Sequence, residues 1–471
     1  MEVAMNHDEE NDRLDTVSTV DSDDDYNSVY NGSIRGSMSS LVGPRPPDRF
    51  GFMGGKQYTE KGDIEIPVEV LRKRESKWLE MLDNWDYWMG KKFKKVKQRC
   101  RKGIPISLRA RAWQYLSGSK KMMERNKGKF DEIDAMPGDP RWVDDIQKDL
   151  DRQFPWHEMF AERGGYGQQD LFRVLKAYSI HNTRDGYCQA MAPIAATLLM
   201  HMPAEQAFWT LVCICDNYLV DYFSPGLEAV QVDGDVLFAL LKKVLPYTYK
   251  HLKKCRVEPI LYMTEWFMCL FSRTLPWASV LRVWDMIFCE GVKVMFRIAL
   301  VIFRYTLGRS DQMAQCPGLY EILDKLRNIP EEVTEEEFLV RESLKLRVNE
   351  RDMVREHQLH RAKRRANQSR LDGRTAAKAN SDGRSGAHNL EKIDGQKSGS
   401  KPKSDGQSGA RSFERLDGRS GAHAFARSAS QDGAYGVLGS PSSTASSDSS
   451  RYESRSREFL AENDIGMPDV S

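Results

Sequence analysis

Between about residue 100 and residue 330, apolar residues recur every three or four positions, one helical run after another. Strand-like alternation between turn signals is absent. Leu108, Ala112 and Leu116 recur every four residues before Gly118 stops the run, with Ser107 as the expected N-cap. Leu171, Val174, Leu175 and Tyr178 mark another helix. Residues 205–220 are apolar almost all round, which calls for burial. Further runs cover 235–245, 259–275, 276–289, 292–307 and 318–327. This pattern predicts an all-α body of about ten or more helices around one core, with Trp209, Trp266, Trp277 and Trp284 filling it.

That body holds most of the apolar residues of a 471-residue chain whose length alone allows about three domains. The net charge of +2 hides an asymmetry, an acidic N-terminal arm against a basic C-terminal third. Residues 1–48 have too few apolar groups to offset ordering entropy and read as disordered. Residues 49–97 form an N-terminal flank. Its Gly/aromatic stretch 50–58 is expected to dock on the core, and a helical pattern over 67–89 carries Val70, Trp78, Leu79, Leu82 and Trp85. The basic run 91–102 reads as a solvated face, or as a surface for phosphates or an acidic partner. The main body is placed at 98–310, followed by C-terminal helices over 311–366, including one long charged helix over 331–365. The Gly/Ser/Arg-rich tail 367–471 repeats Asp-Gly-Arg-Ser-Gly-Ala-His at 382–388 and 417–423, too irregularly for a solenoid, and reads as disordered.

Several kinds of chemistry are excluded by what is missing. There is no Walker A loop, no glycine-rich dinucleotide fingerprint, no H-E-x-x-H and no G-x-S-x-G. Nine histidines and eight cysteines show no metal-ligand spacing, and His181 and His201 read as core or surface groups. Cys213, Cys215, Cys269 and Cys289 sit in apolar runs as small core residues, not as a disulfide framework, so a reducing cytosolic setting is expected. The acidic N-terminus is unlike a signal peptide, and no run is long and apolar enough to span a membrane. No cofactor or metal site of the chain's own is expected. Nucleic-acid binding through residues 91–101 and the tail is disfavoured, because Phe413 and Phe425 are too few aromatics to make stacking platforms.

Three spaced landmarks stand in order within the helical body: Arg109-x-x-x-Trp113, Ile146-x-x-Asp149-x-x-Arg152 and Tyr187-x-Gln189. Arg109 and Trp113 are an i, i+4 pair, close enough for a guanidinium to stack on an indole. Asp139-Pro140 reads as an N-cap followed by proline at the first helical position, and Pro155 should end that helix within a residue or two of Arg152. Ile146, Asp149 and Arg152 then share one face, and Asp185-Gly186 makes a turn that delivers Tyr187 and Gln189.

With Gly103-Ile-Pro at the start and Arg282-Val-Trp-Asp285 late in the body, this constellation resembles the TBC domain, the catalytic domain of GTPase-activating proteins for Rab GTPases. The stretch from Tyr187 to Phe296, with Met-Thr-Glu-Trp-Phe-Met at 263–268, is similar to the subfamily that includes the ezrin-scaffold-associated microvillar members. The resemblance implies an arginine finger at Arg152 and a glutamine finger at Gln189, offered to a GTP-loaded Rab whose own site holds GTP and Mg2+. It implies supporting roles for Asp149, which could fix the arginine's rotamer, and for Tyr187, which would position the glutamine loop. Arg109, Trp113, Trp284 and Asp285 would be architectural. It also implies a cytoplasmic protein, peripheral at vesicle, endosome or plasma membranes through the Rab, acting in exocytic or recycling traffic. A Rab-binding scaffold of the same fold without catalysis is the alternative.

Two departures from the family pattern stand out. Ala190 follows the glutamine where many members have glycine, so a backbone angle open only to glycine would be lost. The chain also ends Met-Pro-Asp-Val-Ser471, whose terminal serine lacks the apolar group a PDZ pocket takes, and no such partner is expected. Cytosolic scaffolds reached through the two tails remain as possible partners. Phosphorylation near Ser428, Ser430 and Ser440 is expected from Arg427 and Pro441 beside them.

Overall fold

The computed structural model describes residues 46–59, 66–348 and 350–387. The readings of the acidic arm, of most of the repeated tail and of its phosphorylation sites lie outside those residues. Within them the chain is helical, and the one strand-like pairing is the isolated bridge between Phe52 and His157.

Two successive helices form the centre. Trp277–Glu290 and Lys293–Leu307 are buried over most of their circumference, as their apolar sequences require. Ile106–Ser117 packs on the first of them, and Gly118 ends it in the left-handed conformation (φ 80°) that only glycine adopts without strain. Ala204–Asn217, also buried nearly all round, packs on Ser119–Arg125 and Tyr166–His181. Trp209, Trp266, Trp277 and Trp284 are all in the core, joined by Trp113. All eight cysteines are free thiols.

The ends of several helices differ from the sequence expectation, each for a local reason. Ser107 is not a cap: the helix begins at Ile106 behind Pro105, and the Ser107 hydroxyl donates to Glu75 Oε1 at 2.5 Å. Val70 and Leu79 are 42% and 41% exposed, because Val68–Asp83 turns Trp78, Met81 and Leu82 inward instead. The helix expected from residue 235 starts earlier, at Glu228. The run 259–275 is helical only over Ile260–Trp266, after which Leu270 and Phe271 take left-handed backbone (φ 48° and 60°) and reverse the chain. The expected single helix over 331–365 is three helices, Glu331–Thr334, Glu336–Lys345 and Glu350–Ala387. Its apolar residues explain the break: Leu339, Val340, Leu346 and Val348 all reach the core, which a straight charged rod could not achieve. The last helix continues past Arg365 as far as Ala387.

The basic run behaves mostly as a solvated face. Phe93–Arg101 buries Val96 and Cys100, while Arg101 makes a two-pronged ion pair with Glu290 at 2.6 Å and 2.6 Å. Residues 46–59 do dock on the core, with Phe52 1% exposed.

Candidate functional site

The helix Pro140–Leu150 begins as its sequence dictates, with Asp139 Oδ1 accepting the Arg141 amide at 2.9 Å and proline at the first position. Ile146 and Asp149 face inward, and the helix ends at Leu150, leaving Arg152 in the following turn. Gln153, only 2% exposed, closes the end by donating its side-chain amide to the Asp149 carbonyl at 3.0 Å. Phe154 then takes left-handed backbone (φ 43°), a costly conformation for a bulky residue, and this turns the chain before Pro155.

Asp149 is the hinge of the site. One carboxylate oxygen is ion-paired with the Arg152 guanidinium, and the other accepts the Tyr187 hydroxyl at 2.6 Å. The Asp149 side chain is 8% exposed and that of Arg152 46%, so a buried anion holds a cation that faces solvent. Burial, and then the Asp149 charge, push the Tyr187 phenol well above its usual range. Tyr187 therefore stays neutral and can only donate to this carboxylate.

The loop that carries Tyr187 is tied down on both sides. Asn182 Nδ2 donates to Asp185 Oδ2 at 2.8 Å, and Arg184 bridges Asp185 and Asp221 at 3.0 Å and 2.8 Å. Gly186 has φ 59°, and a Cβ there would lie 2.4 Å from the Trp142 ring. The Asp185-Gly186 turn thus packs directly on the helix that delivers Arg152. Gln189 follows, half-buried, and its side-chain amide has no hydrogen-bond partner among the described residues. Its carbonyl accepts the Ala192 amide at 3.3 Å, starting the helix Met191–Leu199. Ala190 sits at φ −69°, ψ −13°, ordinary right-handed backbone, so the site has no need of glycine there.

Arg109 and Trp113 form a separate hub. Both reach Asp285: Arg109 Nε at 3.2 Å and Trp113 Nε1 at 2.8 Å share Oδ1, while the Ile104 amide donates to Oδ2 at 2.8 Å. This shared acceptor is what joins the i, i+4 pair, in place of a guanidinium stacked on an indole. Burial raises the Asp285 pKa, opposed by the Arg109 charge and the donated hydrogen bonds. Gly103 (φ 88°) leaves room for Arg282, whose Nε would lie 2.7 Å from a Cβ, and Arg282 pairs with Glu336 at 2.9 Å and Glu337 at 3.1 Å. Trp284 Nε1 donates to the Leu270 carbonyl at 2.9 Å. His201 stands edge-on to Trp113, with ring centroids 5.0 Å apart.

Two groups of residues are thus brought together: Asp149, Arg152, Tyr187 and the Gln189 loop at one place, and Arg109, Trp113 and Asp285 at another. Sequence reasoning missed Trp142 and Gln153. No spacing links Trp142 to Gly186, although a proline after a helical pattern does flag Phe154. Among the described residues no group of three or more histidine, cysteine or acidic side chains is placed to hold a metal ion.

Residues 106–308 match the family described as the Rab-GTPase-TBC domain. The chain is 47% identical over 334 residues to TBC1 domain family member whacked of Drosophila melanogaster, covering 71% of this chain and 92% of that one. The chain belongs to the TBC family. It is also 59% identical over 327 residues, 69% of its length, to the human TBC1 domain family member 10B, of which it spans only 40%. The solved TBC domain of a Chlamydomonas flagellar RabGAP aligns with a TM-score of 0.49 at 26% identity, over 63% of this chain and 99% of that one. Both residue groups fall inside the matched TBC stretch, whereas residues 46–59 lie before it.

Proposed function

We propose that this TBC protein accelerates GTP hydrolysis by a Rab GTPase, lending it Arg152 as an arginine finger and Gln189 as a glutamine finger. The observation that carries the reading is the shared carboxylate of Asp149, which binds Arg152 and Tyr187 at once and so couples the arginine to the loop of Gln189. Hydrolysis in an isolated GTPase is slow because charge on the transferring phosphoryl group is poorly neutralised and the attacking water is poorly held. A guanidinium supplied in trans meets the first need and is worth on the order of 10³ to 10⁵ in rate. A side-chain amide with one acceptor and two donors meets the second by orienting the water. Arg152 is held yet exposed, and Gln189 has its amide uncommitted, as both tasks require.

On this reading GTP and Mg2+ belong to the partner, and the chain brings no cofactor of its own. No helix among the described residues is long and apolar enough to cross a membrane, so the protein would reach vesicle, endosome or plasma membranes through the Rab, in exocytic or recycling traffic. The test is single-turnover GTP hydrolysis across a Rab panel with the full chain, beside Arg152→Lys and Gln189→Ala. Acceleration of one or a few Rabs by ~10²-fold or more, lost with lysine because an ammonium cannot reproduce the guanidinium fork, supports the reading. GTP-dependent binding without acceleration replaces it with a non-catalytic scaffold.

A further inference from the structure

Residues 46–59 are built as a strap across the loop that follows Arg152. Asp48 organises the strap. Its Oδ1 accepts the amides of Phe50 and Phe52 at 2.8 Å and 2.9 Å, and its Oδ2 accepts that of Thr59 at 2.8 Å. The Asp48 amide also donates to the Phe52 carbonyl at 2.8 Å, closing a tight knot. From this knot three hydrogen bonds run to the arginine loop. Met53 N donates to the Trp156 carbonyl at 2.7 Å, Glu158 N to the Gly51 carbonyl at 2.8 Å, and His157 Nε2 to the Phe50 carbonyl at 2.9 Å. The tautomer is fixed, since His157 Nδ1 accepts the Met159 amide at 3.1 Å. Burial lowers the His157 pKa, in keeping with a neutral ring here.

The strap's one deeply buried side chain completes an aromatic box. Phe52 stands edge-on to Phe154, His157 and Trp277, with centroids 6.1 Å, 4.8 Å and 5.0 Å away, and Phe154 meets Trp277 at 5.5 Å. Two glycines allow this close approach. At Gly51 (φ 90°) a Cβ would come within 2.8 Å of His157 Nε2, and at Gly55 (φ 80°) within 3.0 Å of the Trp156 ring.

Phe154 is the residue that matters to the site. It lies two positions after Arg152 and is held at φ 43°, a conformation that persists only while its surroundings enforce it. The strap supplies Phe52 as one wall of that enclosure. We propose that the 46–59 strap is a positioning element for Arg152: by holding Phe154 in left-handed backbone it sets where the guanidinium projects. This rests on the functional reading above and adds to it a segment outside the matched TBC stretch. The strap touches no reacting atom, so its residues position and do not catalyse.

The test uses the full chain with Asp48→Ala and Asp48→Asn. Asp48 is half-buried and outside the core, so its loss is expected to loosen the strap and leave the helical body folded. The first readout is amide hydrogen exchange without any GTPase. The strap is upheld when Asp48→Ala speeds exchange across 151–160 while the amides of Trp277–Glu290 keep wild-type rates. Faster exchange throughout the chain, or none in 151–160, overturns it. The second readout is Rab GTP hydrolysis. Displacing a finger by about an ångström predicts a kcat lower by ~10-fold or more with KM within about twofold, and an intermediate loss in Asp48→Asn, which keeps one acceptor oxygen. An unchanged kcat, or a loss carried by KM, overturns the positioning role. A wild-type chain that activates no Rab refutes the functional reading instead, and the exchange arm tells the two failures apart.

Discussion

Tyr187 donates its hydroxyl to Asp149 Oδ2 at 2.6 Å, and the other oxygen of that carboxylate holds Arg152. A residue of the glutamine loop and the arginine of a different segment therefore share one buried acceptor. The two proposed fingers are mechanically linked before any partner arrives, which lowers the ordering cost at the moment of encounter.

Removing the tyrosine hydroxyl tests that linkage. Tyr187→Phe leaves the ring in place and the carboxylate short of one donor, so unfolding free energy should fall by ~1–3 kcal/mol. The kcat for Rab GTP hydrolysis should fall by ~10-fold, because Asp149 is then free to rotate and to release Arg152 from its set direction. Chemical denaturation and single-turnover kinetics measure the two effects separately. Full activity in the phenylalanine variant would mean that Asp149 fixes the arginine unaided.

Gly186 offers a second test, on the packing of loop against helix. Gly186→Ala places a Cβ 2.4 Å from the Trp142 ring at a φ of 59°, so it suffers both a clash and backbone strain. The clash belongs to the pair and the strain does not. A double-mutant cycle with Trp142→Ala should thus recover part of the lost stability, with a coupling energy of about 1–3 kcal/mol. Additive losses would show that the turn and the helix do not press on each other in solution.

Much of this site could be read from the sequence, and what could not has a common cause. The helix start at Asp139-Pro140, its end before Pro155 and the turn at Asp185-Gly186 are local events, written in the residues that make them. The pairing of Asp149 with Arg152 is legible from their i, i+3 spacing, but the second bond of Asp149 to Tyr187 depends on how two distant segments pack. Trp142 against Gly186, and Phe52 against Phe154, are likewise contacts across long stretches of chain, which no periodicity records. The same holds for Asp285, whose three donors come from Ile104, Arg109 and Trp113 far upstream. The charged segment 331–365 reads by its charges as one rod, whereas Leu346 and Val348 between its helices are pulled into the core.

Ala190 tests the departure from glycine directly. Its backbone lies at φ −69°, ψ −13°, open to any residue, and its methyl is buried. Ala190→Gly should therefore bring no gain in GTPase activation, with kcat inside about twofold of wild type. It should cost roughly 0.5–1 kcal/mol in stability through the added freedom of the unfolded chain. A rise in kcat of ~10-fold would show that the loop must pass through a glycine-only conformation when the Rab binds, in which case alanine restrains the finger.

His201 makes the stability of the TBC body depend on pH, with a sign fixed by its surroundings. Burial, and then the nearby Arg109 charge, lower its pKa from 6.5 to about 3, and its ring stands edge-on to Trp113 with no hydrogen bond at Nε2 among the described residues. The unfolded chain takes up a proton as pH falls through 6.5, whereas the folded chain resists until about 3. Stability is therefore complete above 6.5 and is lost progressively as pH falls from there toward 3. Between pH 7.5 and 5.5 this one group should account for on the order of 1 kcal/mol of lost stability. Urea denaturation of wild type and of His201→Gln at the two pH values measures it, since glutamine cannot titrate. The variant's loss over that interval should be smaller by about this amount, whatever its absolute stability. Equal losses in the two proteins would mean that His201 takes up its proton in the folded state, and that the cluster around Trp113 and Asp285 opens to water at mildly acidic pH.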